Sequence, residues 1–395
     1  MRAVEAVVDA QAGAHRGMAR RRRRPRCADG PRGRADAVTA ARAAGVFVAC
    51  ALALAPALGC ATGVGRAAQP PVGEVAATRH RFTGSAMGAA VEIVIEETDD
   101  AAGRERARAA ARAALVELER LDFTLSDWKS TSELSQFNRS TAARVSASED
   151  LRAVLARALE VAERTNGLYD PTIGPLVKLW RASRATGALP DAATLESARA
   201  RVGWRGLSID GPDIVRADTT VELDFGGIGK GYGAVRAVEA ARRAGAPRVL
   251  VAVAGDIAAG DAPRDGPAWS VEIAAESPAL GAERVVLESG AASTSGASVQ
   301  WVEIDGVRYA HIVDPRTGLG AQSPAQVTVV GPLDSSVDAL GTALALTRDD
   351  AEAATILARF PHHSARIERS GVVSWIGATA RNGAEEPLRP PSPLH

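Results

Sequence analysis

The chain has 395 residues, 46% hydrophobic and 24% charged, a globular composition with room for one large domain or two small ones. Its formal charge is zero, but residues 1–59 carry eleven Arg and four acids, so the remainder is acidic, with 36 basic and 43 acidic side chains. That argues against a nucleic-acid partner, and the confinement of Cys27, Cys50 and Cys60 to the first 60 residues excludes a disulfide, a Cys-ligated zinc and a cysteine nucleophile from the body.

Residues 1–60 read as a targeting segment. A basic run, Arg20 to Arg24 with Arg26, precedes an apolar stretch from Gly45 to Gly59. The stretch is short for a membrane span but suits the core of a secretion signal. Leu58-Gly59-Cys60 resembles a bacterial lipoprotein cleavage site with Cys60 as the lipid-bearing residue, although Ala57 stands where Leu is usual. An ordinary cleaved signal behind an over-extended start is the other reading, and Met18 is a second candidate start. The lipoprotein reading places the body on the periplasmic face of the cell membrane. Residues 61–80, rich in Ala, Gly and Pro, form an expected flexible linker.

Phe82 to Glu97 opens with a Gly-bearing turn and then alternates Val91, Ile93 and Ile95, a strand pattern. Residues 101–121 predict a helix with an apolar stripe through Ala114, Leu115, Leu118 and Leu121. Ser146 to Glu149 offers a capping box for a helix through Leu151, Val154, Leu155 and Leu159, stopped by Asn166-Gly167. Pro190-Asp191 opens another helix, ended by Gly203. Short strands are expected over 206–224, a helix from Gly231 to Gly245, and a buried strand from Val249 to Val253. Strands follow near 269–274, 283–288, 299–304, 307–312 and 326–330, then a helix from Ser336 to Leu346 and a hairpin over 364–376. The Pro-rich tail, residues 381–395, is expected to be disordered. Helices and mostly antiparallel strands in separate runs give an α+β body over residues 81–380.

Three stretches carry candidate chemistry. Asp305-Gly306 between two β-type runs is a type I′ turn signature, so a strand ends at His311, and a loop with Asp314, Pro315, Arg316 and Thr317 follows. A surface hairpin with a half-buried His is the plainer reading. Asp224 to Tyr232 is a strand, a glycine cluster and a helix start, an arrangement that leaves N–H groups open to an anion. It is neither a Walker A loop nor a complete dinucleotide fingerprint, because the acid due about 20 residues on is missing and Asp256 comes late in its own Gly loop. A tight turn that needs glycines explains it equally well. Asp338 and Thr342, four apart on a helix, project hard oxygen donors from one face, as Mg2+ requires; a first-turn Asp beside an incidental Thr is the alternative.

Seven segments in chain order resemble the ApbE family of FAD:protein FMN transferases. They are Gly84 to Gly88; Leu125 to Trp128 with Ser132-Glu133-Leu134 and Asn138; Gly167 to Leu176; Leu223 to Tyr232; Ser293 to Gly296; His311 to Gly318; and Asp338 to Thr342. The resemblance implies the family's flavin-transferase fold, FAD as substrate and Mg2+ as cofactor. It implies His311 as base, Gly227 (through its carbonyl), Asp338 and Thr342 as metal ligands, and Asp224 and Lys230 on the flavin nucleotide. It also implies FAD contacts from Met87, Trp128, Leu168, Tyr169, Asp170 and Ile312. For Met87 and Trp128, plain core packing competes with that role. Thr294 and Ser295 read as a small-residue loop, and Arg316 as a loop organiser through Asp314.

The chain departs from the family pattern at Val235, where Asp is common, at Ala254, where Gly is common, and at Ala89, often Thr. These departures bear on the adenosine end rather than on the reaction class. The implied reaction moves FMN from FAD onto a Thr hydroxyl of an acceptor protein, such as a subunit of a respiratory electron-transfer complex, and releases AMP. Two alternatives stay open: an FAD pyrophosphatase giving FMN and AMP, and a flavin-binding lipoprotein without turnover.

Overall fold

The computed structural model describes residues 77–273, 283–296 and 301–377. The targeting segment, the linker up to residue 76 and the tail expected from Arg381 lie outside them. Strand β1 (Ala77–Ala86) therefore begins inside the stretch read as linker.

The strand predicted over Phe82 to Glu97 is a hairpin of β1 and β2 (Ala89–Thr98), reversed at Met87-Gly88, where φ is 53° and 70°. Helices α1 (Ala101–Leu125) and α2 (Glu133–Arg139), strand β3 (Arg144–Ser146) and helix α3 (Glu149–Arg164) follow. The cap of α3 is Ser148, whose hydroxyl accepts from the Leu151 amide, rather than Ser146. Next come α4 (Gly174–Thr186), α5 (Ala192–Arg199), β4 (Leu207–Asp210), β5 (Asp213–Arg216) and α6 (Gly229–Arg243). Sequence patterning misses α2 and α4. It also starts α6 two residues late and carries α5 past its end.

Strands β6 (Val249–Val253), β7 (Asp256–Ala259), β8 (Trp269–Ile273), β9 (Glu283–Leu287) and β10 (Gly290–Ser295) come next. Thr294 and Ser295 are thus strand residues, not loop. The expected hairpin forms from β11 (Trp301–Ile304) and β12 (Val307–Ala310), with Asp305 and Gly306 both at positive φ. Strand β13 (Gln326–Gly331), helices α7 (Ser336–Ala345) and α8 (Asp350–Leu357) and strands β14 (Ser364–Arg369) and β15 (Val372–Gly377) complete the order.

The main sheet has eight strands in the order β1-β2-β6-β7-β10-β13-β14-β15, every neighbouring pair antiparallel. The two-residue period sorts its side chains between two layers. Val91, Ile93, Ile95, Val251 and Val253 pack with α1 and α6, whereas Val94, Leu250 and Ala252 pack with Trp269, Val271 and Leu287 of the β8–β9 hairpin. With both faces covered, β6 is buried throughout. Helix α7 packs on β10 and β13. The α+β class expected from the sequence is the one observed.

Candidate functional site

The glycine cluster lies between Phe225 and the start of α6, whose first turn has no side-chain cap. Within it the Gly226 amide is taken by Asp224, the Ile228 and Gly229 amides by the Phe225 carbonyl and the Gly231 amide by Asp338, which leaves the Gly227 and Lys230 amides for an anion. The glycines are needed for close approach. A Cβ at Gly231 would come within 2.7 Å of the Asp338 Cβ, and one at Gly227 within 2.8 Å of the Thr342 hydroxyl. Helices α6 and α7 thus meet backbone to side chain, and the Gly231 amide donates to Asp338 Oδ2 at 3.0 Å.

Lys230 sits between two carboxylates. Its ammonium is 3.0 Å from Asp256 and 3.8 Å from Asp338. Burial by itself lowers an ammonium pKa, but Asp256 and Asp338 outweigh it and hold Lys230 above the ordinary lysine range. Asp338 moves the other way: burial, then Asp256, push its carboxyl up to about 7, opposed by Lys230 and the Gly231 amide. Asp256 is the site residue that sequence reading passed over. It faces Ser293 across the β7–β10 register, and the Ser293 hydroxyl donates to it at 2.6 Å. Sequence distance hid it, since nothing local shows that β7 delivers it to α6.

Asp224 is placed by a two-way clamp. The Asn138 side-chain amide donates to the Leu223 carbonyl and accepts from the Leu223 amide, both at 2.8 Å. Asp224 Oδ1 then accepts from the Gly226 amide at 2.8 Å. Burial, then Asp127, raise its pKa. Met87 lies against the same helix start: a Cβ at Gly233 would come within 2.5 Å of its sulfur. Its positive φ, unusual for a side chain of this size, is held by that packing.

In the segment after α3, Leu168 and Tyr169 are buried in the same core as Phe225, Ile228 and Ile312. The Tyr169 hydroxyl is buried without a hydrogen-bond partner among the described residues. Burial first, then the charges of Asp338, Asp224 and Asp170, raise its pKa well above the usual value. Asp170 is committed to its own turn, accepting the Thr172 amide at 2.8 Å and its hydroxyl at 2.6 Å. Both bonds fall on Oδ1, so this carboxylate organises the loop through one oxygen. Trp128 is not core: it is 75% exposed, with the Arg181 guanidinium over its ring.

His311 is exposed and directly follows β12. The loop behind it is rigid by construction. Arg316 forms a fork onto both Asp314 oxygens, at 2.9 and 2.7 Å, and donates to the Leu346 carbonyl at the end of α7 at 2.6 Å. Arg316 is therefore a loop organiser, as expected, and it ties the His311 loop to the helix that carries Asp338 and Thr342. A cavity of about 850 Å3 touches this region through Leu168, Asp170 and Arg316. Its lining includes none of Asp224, Lys230, Asp256, Asp338 or His311, so the charged cluster lies apart from it.

Among the described residues no three His, Cys, Asp or Glu side chains group to hold a metal. The oxygen donors that the resemblance implies are one carboxylate, Asp338, with the Thr342 hydroxyl and the Gly227 carbonyl. These are hard oxygen donors, and the Gly227 backbone already lies against Thr342. The set suits Mg2+, which takes few protein ligands and leaves the rest to water and phosphate oxygens.

A family model described as the ApbE family matches residues 87–367. The chain is 29% identical over 279 residues to an FAD:protein FMN transferase of Klebsiella pneumoniae, covering 68% of this chain and 79% of that protein. It is 34% identical over 266 residues to the FAD:protein FMN transferase of Treponema pallidum, covering 60% and 72%. Among solved structures, the ApbE protein of Thermotoga maritima superposes with a TM-score of 0.69 at 25% identity, covering 78% of this chain and all of that one. The Pseudomonas stutzeri flavinyl transferase ApbE, apo form, gives 0.66 at 26% identity, covering 77% and 96%.

Proposed function

The chain belongs to the ApbE family, and from that premise we propose that it is an FAD:protein FMN transferase. In this reading it requires Mg2+, joins FMN to a Thr hydroxyl of an acceptor protein through a phosphodiester, and releases AMP. The observation that carries the reading is a convergence. An uncapped, glycine-lined helix start, the Lys230 ammonium and the buried Asp338 meet at one point, and Arg316 fastens the His311 loop to the same helix as Asp338.

Each residue then has a task. Asp338, Thr342 and the Gly227 carbonyl hold the metal, which when bound withdraws charge from the pyrophosphate. The Lys230 ammonium and the uncommitted amides of Gly227 and Lys230 neutralise phosphate oxygens. Tyr169 offers a buried hydroxyl that has no hydrogen-bond partner among the described residues and is free to pair with a ligand. His311 takes the proton of the acceptor hydroxyl as its oxygen bonds to the FMN-side phosphorus. The bond from that phosphorus to the AMP-side oxygen breaks, and AMP departs with the electron pair. A placed base is worth about 10²–10⁴-fold. Exposure of His311 suits a protein substrate, which must approach from outside.

Among the described residues no helix is long and apolar enough to cross a membrane. We place the protein on the periplasmic face of the membrane through lipid on Cys60, on the strength of the Arg run, the apolar stretch and Leu58-Gly59-Cys60.

The test is incubation with FAD, Mg2+ and a Thr-bearing acceptor, followed by intact mass of the acceptor and assay of AMP. One FMN on the acceptor per AMP released is expected. AMP and free FMN with an unmodified acceptor would identify a pyrophosphatase instead, and no product of either kind would overturn the reading.

A further inference from the structure

Arg181, in the middle of α4, gathers three groups from distant parts of the chain. One guanidinium nitrogen pairs closely with Asp127, and another is 3.6 Å from Asp224 Oδ2. The guanidinium carbon also lies over Trp128, 4.2 Å from the ring centroid. Trp128 follows directly on Asp127, and the Ser126 hydroxyl accepts the amides of Trp128 and Lys129, both at 3.2 Å. The backbone under the indole is therefore held in place.

An indole that is 75% exposed loses most of the apolar burial that usually fixes such a ring. Here a planar cation covers one face instead, which defines the ring plane and leaves the opposite face open. The same cation reaches Asp224, two residues before the glycine cradle.

We propose that Arg181 is a positioning residue for FAD: it holds Trp128 as a stacking platform for a planar ring of the dinucleotide and ties that platform to Asp224 at the mouth of the cradle. The inference rests on the flavin-transferase reading. Arg181 acts through Trp128 and does not itself touch the substrate. A lysine cannot replace it fully, because an ammonium keeps the ion pairs but not the flat stack.

The experiment is FAD titration by flavin fluorescence, paired with transfer kinetics and thermal unfolding, for wild type, Arg181→Gln, Arg181→Lys, Trp128→Leu and the double variant Arg181→Gln/Trp128→Leu. Stacking of one ring is worth about tenfold in affinity or more, so Trp128→Leu should weaken FAD by about that factor. Arg181→Gln should raise Kd and KM roughly three- to tenfold with kcat unchanged, and Arg181→Lys should fall between. The double variant should bind no worse than Trp128→Leu alone. Wild-type Kd in Arg181→Gln, or losses that multiply in the double variant, would overturn the positioning role. A lower unfolding temperature with wild-type Kd would make Arg181 merely structural. If Arg181→Gln does not fold, Arg181→Lys decides: unchanged Kd there overturns the proposal. If Trp128→Leu binds FAD like wild type, the platform fails while the transferase reading stands, whereas a wild-type protein that binds no FAD sinks the transferase reading itself.

Discussion

Replacing Asp338 by Asn should stabilise the metal-free protein while disabling it. Asp338 is 3% exposed, on the first turn of α7, and its helpers are the Gly231 amide at 3.0 Å and a Lys230 that it shares with Asp256. Burial and Asp256 lift its carboxyl from 3.8 to about 7. A rise of that size corresponds to on the order of 4 kcal/mol. Because Lys230 serves two acids, roughly 2–4 kcal/mol is a fair bracket. The folded state holds this proton more tightly than the unfolded chain. The cost of ionised Asp338 is therefore absent below about pH 4, grows as pH rises, and is complete above about pH 7. Asn keeps the size and an acceptor for Gly231 but carries no charge, so the metal-free variant should exceed wild type at about pH 8 and match it near pH 4. In a domain of this size, each kcal/mol appears as about 2–4 °C or slightly less. Mg2+ at about 100 times its Kd should stabilise wild type by about 2.7 kcal/mol and leave the variant unmoved. Thermal unfolding with chelator or with Mg2+ at both pH values measures all of this. An Asn variant that is less stable than wild type at about pH 8, or that gains equally from Mg2+, would refute the reasoning.

His311→Asn keeps size and a hydrogen-bonding edge but cannot take a proton near neutral pH, so transfer should fall by roughly 10²–10⁴ while FAD affinity holds; loss of FAD binding, read by fluorescence titration, would recast it as a ligand contact. Ala254 turns β6 into β7 at φ 52°, where the family commonly has Gly. Ala254→Gly should therefore stabilise by about 0.5–1 kcal/mol in urea unfolding, and a destabilised variant would show the strain is absorbed elsewhere. Cys60→Ser should shift the protein from membrane to soluble fraction in its native host, and an unmodified N-terminus upstream of Cys60 on the native protein would remove the lipoprotein reading.

Features governed by a few neighbouring residues were legible in the sequence. Asp305-Gly306 predicted a tight hairpin because only a pair tolerant of positive φ can make it. The stripe through Leu118 and Leu121 predicted α1, and Asn166-Gly167 ended α3 with both residues at positive φ. The α+β class and the family followed from order and motif. Strands β7 and β10 were missed because Ala-, Ser- and Gly-rich strands covered on both sides show no alternation. Helix α4 was missed because Gly174-Pro175 resembles turn punctuation, although Pro in a first turn costs no hydrogen bond. The named site residues were readable only through motif resemblance, since local pattern left Asp338 and Lys230 with bland explanations. What the tertiary structure alone decided was who neutralises whom. Asp256 reaches Lys230 through strand pairing, and Arg181 reaches Asp127, Asp224 and Trp128 through helix placement. Coulomb and stacking energies depend on distance in space, and a chain that closes an eight-stranded sheet brings together charges whose separation in sequence carries no trace of it.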